Sequence, residues 1–328
     1  MSKINLHKET IKNNLVFISG LTRSGKALLC PIISSFNNTE KVNVNFPLEQ
    51  IPMLNYLGEI NNNVSKFLLQ SGINSAIYDN AIGRNSNFRP DDFTSVWKYR
   101  DPMKYVQRLF QPDGDAVLTK LNSQNRIFPM MVHNGLWHAN IWFQALPHAK
   151  FIHMQRNPVD IVYSWIGKGY EGSFYSSSRA NIVTYKYKEN LLPYYAYGWE
   201  DKYLSLGGAD RIIHMVNHIR NGHQEAYNNL NDNNKKKILF VRHQDLITKT
   251  EECLHAVENF VGEGPSVDTP SVLLQQNCPR SSHVDTPFST SDKEFKEKLK
   301  EIEVLSSPEA YSILLDMHNQ FESKQLAI

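Results

Sequence analysis

The segment Gly20-Leu21-Thr22-Arg23-Ser24-Gly25-Lys26-Ala27 puts two glycines, two cations and two hydroxyls into eight positions. Its spacing satisfies the first seven positions of G-x-x-x-x-G-K-[ST], and Ala27 fails the eighth. Between a strand and a helix, such a loop turns successive backbone N–H groups onto phosphate oxygens. Glycine permits the close approach, and the helix N-terminus adds partial positive charge. Ala27 lacks the hydroxyl that would hold Mg²⁺, and the apolar runs that could end in a metal-binding Asp end at His133, Arg156 and Arg242. Asp245 follows only after a His-Gln turn. The pattern is a phosphate cradle without its magnesium ligands, which argues against a nucleotide hydrolase or a kinase.

A second group is Arg156-Asn157-Pro158-Val159-Asp160-Ile161-Val162-Tyr163-Ser164. At ~1.5 Å rise per residue the Arg and the Ser stand roughly 12 Å apart along a helix, so they converge on one phosphate only if the chain turns between them. His214 and His218 have helical i,i+4 spacing with His223 nearby, but no HExxH pattern, which reads as a packed or solvated helix face rather than zinc. Tyr185, Tyr187, Tyr194, Tyr195, Tyr197 and Trp199, interleaved with Lys186 and Lys188, suit either an acceptor wall or a packing surface. Lys235 to Lys237 reads as a solvated turn.

The elements that must position these groups alternate. Leu15–Ile18 is a short buried strand ahead of the glycine loop, and Lys26 to Phe36 has helical spacing with Pro31 inside it as a kink or a split. Further strands are expected at Val42–Val44, Pro129–His133, Lys150–Gln155 and Ile238–Val241. Helices are expected after Asn157-Pro158, over Arg211 to Leu230, over Thr250 to Val261, and over Asp292–Leu305 and Pro308–Ser323. Residues 57–125 carry only helical fragments around Val64–Leu69 and Val96–Phe110. Apolar strands alternating with helices imply an α/β fold with a mostly parallel central sheet. The 328 residues suit one such domain, expected over 12–290, with 291–328 as a helical C-terminal extension packed on it.

Composition sets limits. Lys plus Arg total 35 against 33 Asp plus Glu, so no global field favours nucleic acid or an anionic membrane. The three cysteines form no metal or disulfide pattern, and the chain begins with no secretory h-region. Leu15 to Phe36 is interrupted by Thr22, Arg23, Ser24 and Lys26, so no membrane span is expected, and a cytoplasmic location is.

Arg156 and Ser164 in an R-[ND]-P-x-D-x-x-x-S frame resemble the 3′-phosphate-binding motif of sulfotransferases that use 3′-phosphoadenosine 5′-phosphosulfate (PAPS). Leu21 to Leu28 resembles their 5′-phosphosulfate loop, with Lys26 and Ala27 in place of the usual Thr pair. Phe240 to Leu246 is similar to the family's later strand and Y-E-D-L segment, His243 standing where a Tyr near adenine is common. The resemblance covers about residues 12–290 and implies a P-loop-like sulfotransferase fold.

It further implies that the backbone of Ser24, Gly25, Lys26, Ala27 and Leu28 cradles the phosphosulfate, with Arg23 set against the bridging oxygen. Arg156 and Ser164 would hold the 3′-phosphate, His243 would lie at the adenine, and Arg280 would close a basic loop over the nucleotide. Sulfuryl transfer to a hydroxyl needs a base near sulfur. The resemblance offers Glu49, at the position used by tyrosylprotein sulfotransferases, and ranks it ahead of His133, which resembles the K-T-H-x-P position with Met131-Val132 replacing Lys-Thr.

The implied reaction is metal-independent in-line transfer from PAPS to an acceptor hydroxyl or amine, releasing adenosine 3′,5′-bisphosphate. Carbohydrate, lipid, small-molecule and peptide tyrosine acceptors all stay open. A P-loop kinase or NTPase, and a nucleotide-binding module without turnover, are the alternatives.

Overall fold

The computed structural model describes residues 11, 14–172, 182–280 and 292–323. Strand β1 (Asn14–Ser19) is the centre of the sheet because its apolar run is buried on both faces. Leu15 and Phe17 enter one layer of the core with Phe128, Trp142 and Phe151, while Val16 and Ile18 enter the other with Leu29, Ile33 and Val257. That alternation is the period-2 geometry of a strand. Phe17 is completely buried, a contribution of ~1.5–3 kcal/mol for such a side chain.

The remaining strands are β2 (Asn43–Val44), β3 (Ile127–Met131), β4 (Lys150–Gln155), β5 (Thr184–Tyr187), β6 (Asn190–Pro193) and β7 (Ile238–Arg242). β2-β3-β1-β4-β7 form one sheet with every pairing parallel. β5 and β6 are a separate antiparallel hairpin. Helices Asn62–Ala81 and Ala139–Ala145 cover the Phe17 face, and Lys26–Ser34 and Thr250–Val261 cover the other. A third cluster joins Pro158–Ile166 and Gly208–Asn228 to the C-terminal helices Asp292–Leu305 and Pro308–Glu322 through Trp165, Ile212, Val216, Ile302 and Leu314.

Several elements differ from the sequence expectation. β3, expected over Pro129–His133, runs Ile127–Met131, so His133 lies beyond the strand's end. Pro31 does not split the helix, which runs unbroken over Lys26–Ser34 with the proline inside it. β2 starts at Asn43, one residue after Val42. Val64–Leu69 proves to be part of a twenty-residue helix, Asn62–Ala81, whose N-terminus is capped by the Asn61 side chain. Its core residues Leu69, Ile73 and Ile77 hold helical spacing, but Asn, Ser and Gly between them dilute the pattern. Among the described residues no helix is long and apolar enough to cross a membrane.

Because the sheet is parallel, β1, β3, β4 and β7 all deliver their C-terminal ends to one edge. Gly20, Val132, Arg156 and His243 are the residues that follow them. An edge of this kind is where open α/β sheets bind ligands.

Candidate active site

The glycine loop is held in a conformation that only a few residues accept. Gly20 has φ 142°, Arg23 φ 72° and Gly25 φ 104°. A Cβ at Gly20 would stand 2.6 Å from the Met154 carbonyl oxygen, and one at Gly25 would stand 2.5 Å from the His243 ring. Gly25 N-caps the helix Lys26–Ser34 without any side-chain cap; its carbonyl takes the amides of Leu28 and Leu29, which leaves those of Lys26 and Ala27 at the loop's mouth. Ser24 is 1% exposed, and its Oγ has no hydrogen-bond partner. A buried hydroxyl without a partner, beside uncapped amides, is a place for an oxyanion.

The sequence puts the charges of Arg23 and Lys26 at the same place, but the Lys26 side chain is turned away from the mouth. Its Nζ donates to the carbonyls of Gly20 at 2.6 Å and Leu21 at 2.7 Å, folding under the loop. Side chains in a helix's first turn lean back toward its N-terminus, which sends the ammonium beneath the loop. Burial pushes its pKa down to about 8 against the opposing charge of Glu49.

Arg156 reaches this loop across 133 residues of sequence: its Nη1 donates to the Arg23 carbonyl at 3.1 Å. Arg23 Nε in turn donates to Ser164 Oγ at 2.9 Å, and Trp165 Nε1 donates to the Thr22 carbonyl at 3.0 Å. Arg156 and Ser164 thus converge through Arg23, one on its backbone and one on its guanidinium, which is turned to Ser164. Arg156 Nε is buried with no hydrogen bond and stands 3.5 Å from Asp160 Oδ2. Asp160 also accepts from Lys298 Nζ at 2.9 Å, tying a C-terminal helix to this corner.

His243 is buried against Gly25. Burial, with Arg156 and Arg280 adding to it, pushes its pKa down to about 3. Arg280 donates its backbone N–H to the Ile247 carbonyl at 2.9 Å, and its Nε is buried without a partner. The loop expected to close over the nucleotide continues into 281–291, which lies outside the described residues.

Glu49 and His133 meet. Glu49 Oε2 accepts from the backbone N–H of His133 at 2.6 Å and lies 3.0 Å from its Nδ1. The Glu49 side chain is 1% exposed and that of His133 25%. Asn134, at φ 52°, donates from Nδ2 to the Tyr194 hydroxyl at 3.0 Å and from its backbone to the Gly20 carbonyl at 3.4 Å. The pair is therefore stitched to the glycine loop.

The model of the sulfotransferase domain matches residues 13–303. The chain belongs to the sulfotransferase domain family. Among solved structures it is similar to the sulfotransferase domain of the olefin synthase of Synechococcus PCC 7002, with 13% identity, 98% of each chain covered and a TM-score of 0.44. It is also similar to a sulfotransferase domain from the curacin biosynthetic pathway, with 13% identity, 94% of this chain and 98% of that chain covered and a TM-score of 0.46. A comparison with curated proteins finds no match.

In this sulfotransferase the aromatic stretch divides. Tyr194 and Tyr195 are core residues, whereas Tyr197 is 46% exposed and packs edge-on at 5.9 Å against Tyr56. Tyr56 also meets Trp137 at 5.4 Å and His138 at 5.8 Å. His218 is wedged between Trp137 and Trp199, and the described residues contain no cluster able to hold a metal ion. Sequence reasoning does not single out Asp160, Lys298 or the Asn134–Tyr194 link as parts of the site. Asp160 lies inside the Arg156 motif; Tyr194 stands out only as part of the aromatic stretch, and Lys298 reaches the site from a distant segment with no local signal.

Proposed function

We propose that this sulfotransferase moves a sulfuryl group from PAPS to an acceptor hydroxyl or amine and releases adenosine 3′,5′-bisphosphate. The observation that carries this reading is the knot of Arg156, Arg23 and Ser164 against the glycine loop. It brings side by side the two motifs that would hold the two phosphate ends of a doubly phosphorylated adenosine. The residues fit that donor substrate: Ser24 Oγ and Arg156 Nε are buried with unused hydrogen-bonding capacity, and the backbone at Gly25 is bare of Cβ. Arg156 and Ser164 would take the 3′-phosphate, and the amides of Gly25, Lys26 and Ala27 the 5′-phosphosulfate, with Arg23 beside it; the amides of Ser24 and Leu28, also expected there, are given to the Leu21 and Gly25 carbonyls.

The pairing of Glu49 and His133 supports a division of labour instead of a choice. Glu49 is too enclosed to meet an acceptor, while His133 is partly open. With Nδ1–H donating to Glu49 Oε2, the tautomer that this bond selects leaves Nε2 bare as the base. The acceptor oxygen attacks sulfur and its proton passes to His133 Nε2. The bond from sulfur to the bridging oxygen breaks, and the electron pair leaves on the 5′-phosphate. A cation at that oxygen stabilises the charge as it develops; Arg23 would take that role by leaving Ser164, to which its Nε donates in this structure.

A kinase or NTPase reading is disfavoured because Ala27 offers Mg²⁺ no hydroxyl and β3, β4 and β7 end at Met131, Gln155 and Arg242 rather than at carboxylates. Incubation with sulfur-labelled PAPS and a panel of sugars, phenols, lipids and tyrosine peptides, with chelator present, tests the proposal. Label on an acceptor with matching bisphosphate release is expected. Magnesium-dependent phosphate release from ATP would contradict it, and tight bisphosphate binding without turnover would favour the inactive module.

A further inference from the structure

A second concentration of charge lies at the opposite end of the sheet, near the N-terminal end of β3. Glu40 is 4% exposed and accepts a fork from Arg108, at 2.9 Å on Oε2 and 2.7 Å on Oε1. Arg126 Nη1 adds a bond to Oε1 at 2.8 Å, while Tyr105 at 2.6 Å and Asn80 at 3.1 Å donate to Oε2. Burial opposes the Glu40 charge, but Arg108 and these neighbours outweigh it and hold the carboxyl well below its usual range. One carboxylate is thus capped completely, yet the cations around it do not stop at one.

Lys104 comes no nearer to Glu40 than 3.7 Å, and Lys120 makes no ion pair among the described residues. Lys104, Arg108, Lys120 and Arg126 line one cleft of about 190 Å³ together with Glu40. Four cations against one carboxylate leave three uncompensated positive charges around a concave, partly dehydrated space. Burial, assisted by Arg108, Arg126 and Arg100, pushes the Lys104 ammonium down to about 8 despite Glu40.

We propose that this cleft, framed by Asn62–Ala81, Pro102–Arg108 and Asp115–Gln124, binds a small oxyanion of the phosphate or sulfate type. Lys104, Lys120 and Arg126 would hold it together, Arg126 through Nη2, since its Nη1 is given to Glu40 and its Nε to Gln124. The site is independent of the nucleotide crevice and of the proposed reaction. Its ligand would brace the segment that carries Glu40 and Lys41, which the Tyr105 hydroxyl also holds by accepting from Lys41 N at 2.9 Å. That segment runs directly into β2 and the helix Phe46–Tyr56 with Glu49.

The test is the rise in thermal midpoint of the full chain with inorganic phosphate at constant ionic strength. It is measured on the wild type, on Lys104→Gln/Lys120→Gln and on Arg156→Ala. Neither substitution touches the Arg108–Glu40 fork, so the double variant should fold, as circular dichroism checks. The wild type should show a saturable rise, with apparent affinity about tenfold weaker or worse in the double variant; in Arg156→Ala, which removes a phosphate ligand of the nucleotide crevice, the part of the rise that the double variant loses should remain. Crystals soaked in tungstate should place the metal atom's anomalous peak between Lys104 and Arg126. No phosphate-specific rise, an equal rise in the double variant, or loss of the rise in Arg156→Ala would each overturn the site.

Discussion

The decisive residue-scale feature is a carboxylate and an imidazole, 84 positions apart, sharing one hydrogen bond. Both are recognisable as base candidates from sequence, but as rivals, because nothing local records that the turn after β3 lies against the first turn of Phe46–Tyr56. The burial difference between them sets the expected kinetics. His133→Ala should lower kcat by about 10²–10⁴-fold with little change in PAPS affinity. Glu49→Gln, which keeps an acceptor for the His133 backbone but loses the charge, should lower kcat less and shift the pH profile. A larger loss in Glu49→Gln than in His133→Ala would reverse the assignment of base and orienting partner.

At the scale of elements, the strand–loop–helix unit from β1 to Ser34 is the most legible part of the chain. Its apolar run, its glycines and its helical spacing are all local. The direction of Lys26 is not legible there, since only the folded loop supplies the carbonyls that draw its ammonium inward. The helix Asn62–Ala81 shows in the sequence only as a fragment because polar residues interrupt its buried face. Gly25 gives the strand–loop–helix unit a sharp test. Gly25→Ala demands φ 104° of a residue with a Cβ and drives that Cβ into His243, at a cost of ~1–3 kcal/mol. A fall in thermal midpoint together with weaker bisphosphate binding is expected, and a variant matching the wild type in both would show that the loop tolerates a side chain there.

On the scale of the whole molecule, the parallel sheet turns sequence-distant motifs into neighbours, and the same compactness buries histidines far from any anion. His138 and His153 are held neutral by burial, each pushed down to about 3, and His223 is also lowered by burial. The unfolded chain takes up those protons near 6.5 and the folded protein only at much lower pH. Their contribution is therefore complete above about pH 6.5 and drains away as pH falls toward about 3. The urea midpoint should drop steadily between about pH 6.5 and 4, and His153→Leu should flatten that slope by roughly one proton. A midpoint independent of pH across that window would contradict this picture.

The meeting of Arg156 with the glycine loop is also a property of the whole fold: it depends on β4 lying beside β1, as Ser19 against His153 records. The motif resemblance anticipates the meeting, whereas composition and periodicity alone do not. Isothermal calorimetry of adenosine 3′,5′-bisphosphate with the wild type and with Arg156→Ala tests it most directly. Loss of a charge-assisted phosphate fork, ~1.5–3 kcal/mol, should raise Kd about 10–100-fold with the fold intact. Equal affinity in the two proteins would contradict the shared two-cornered crevice.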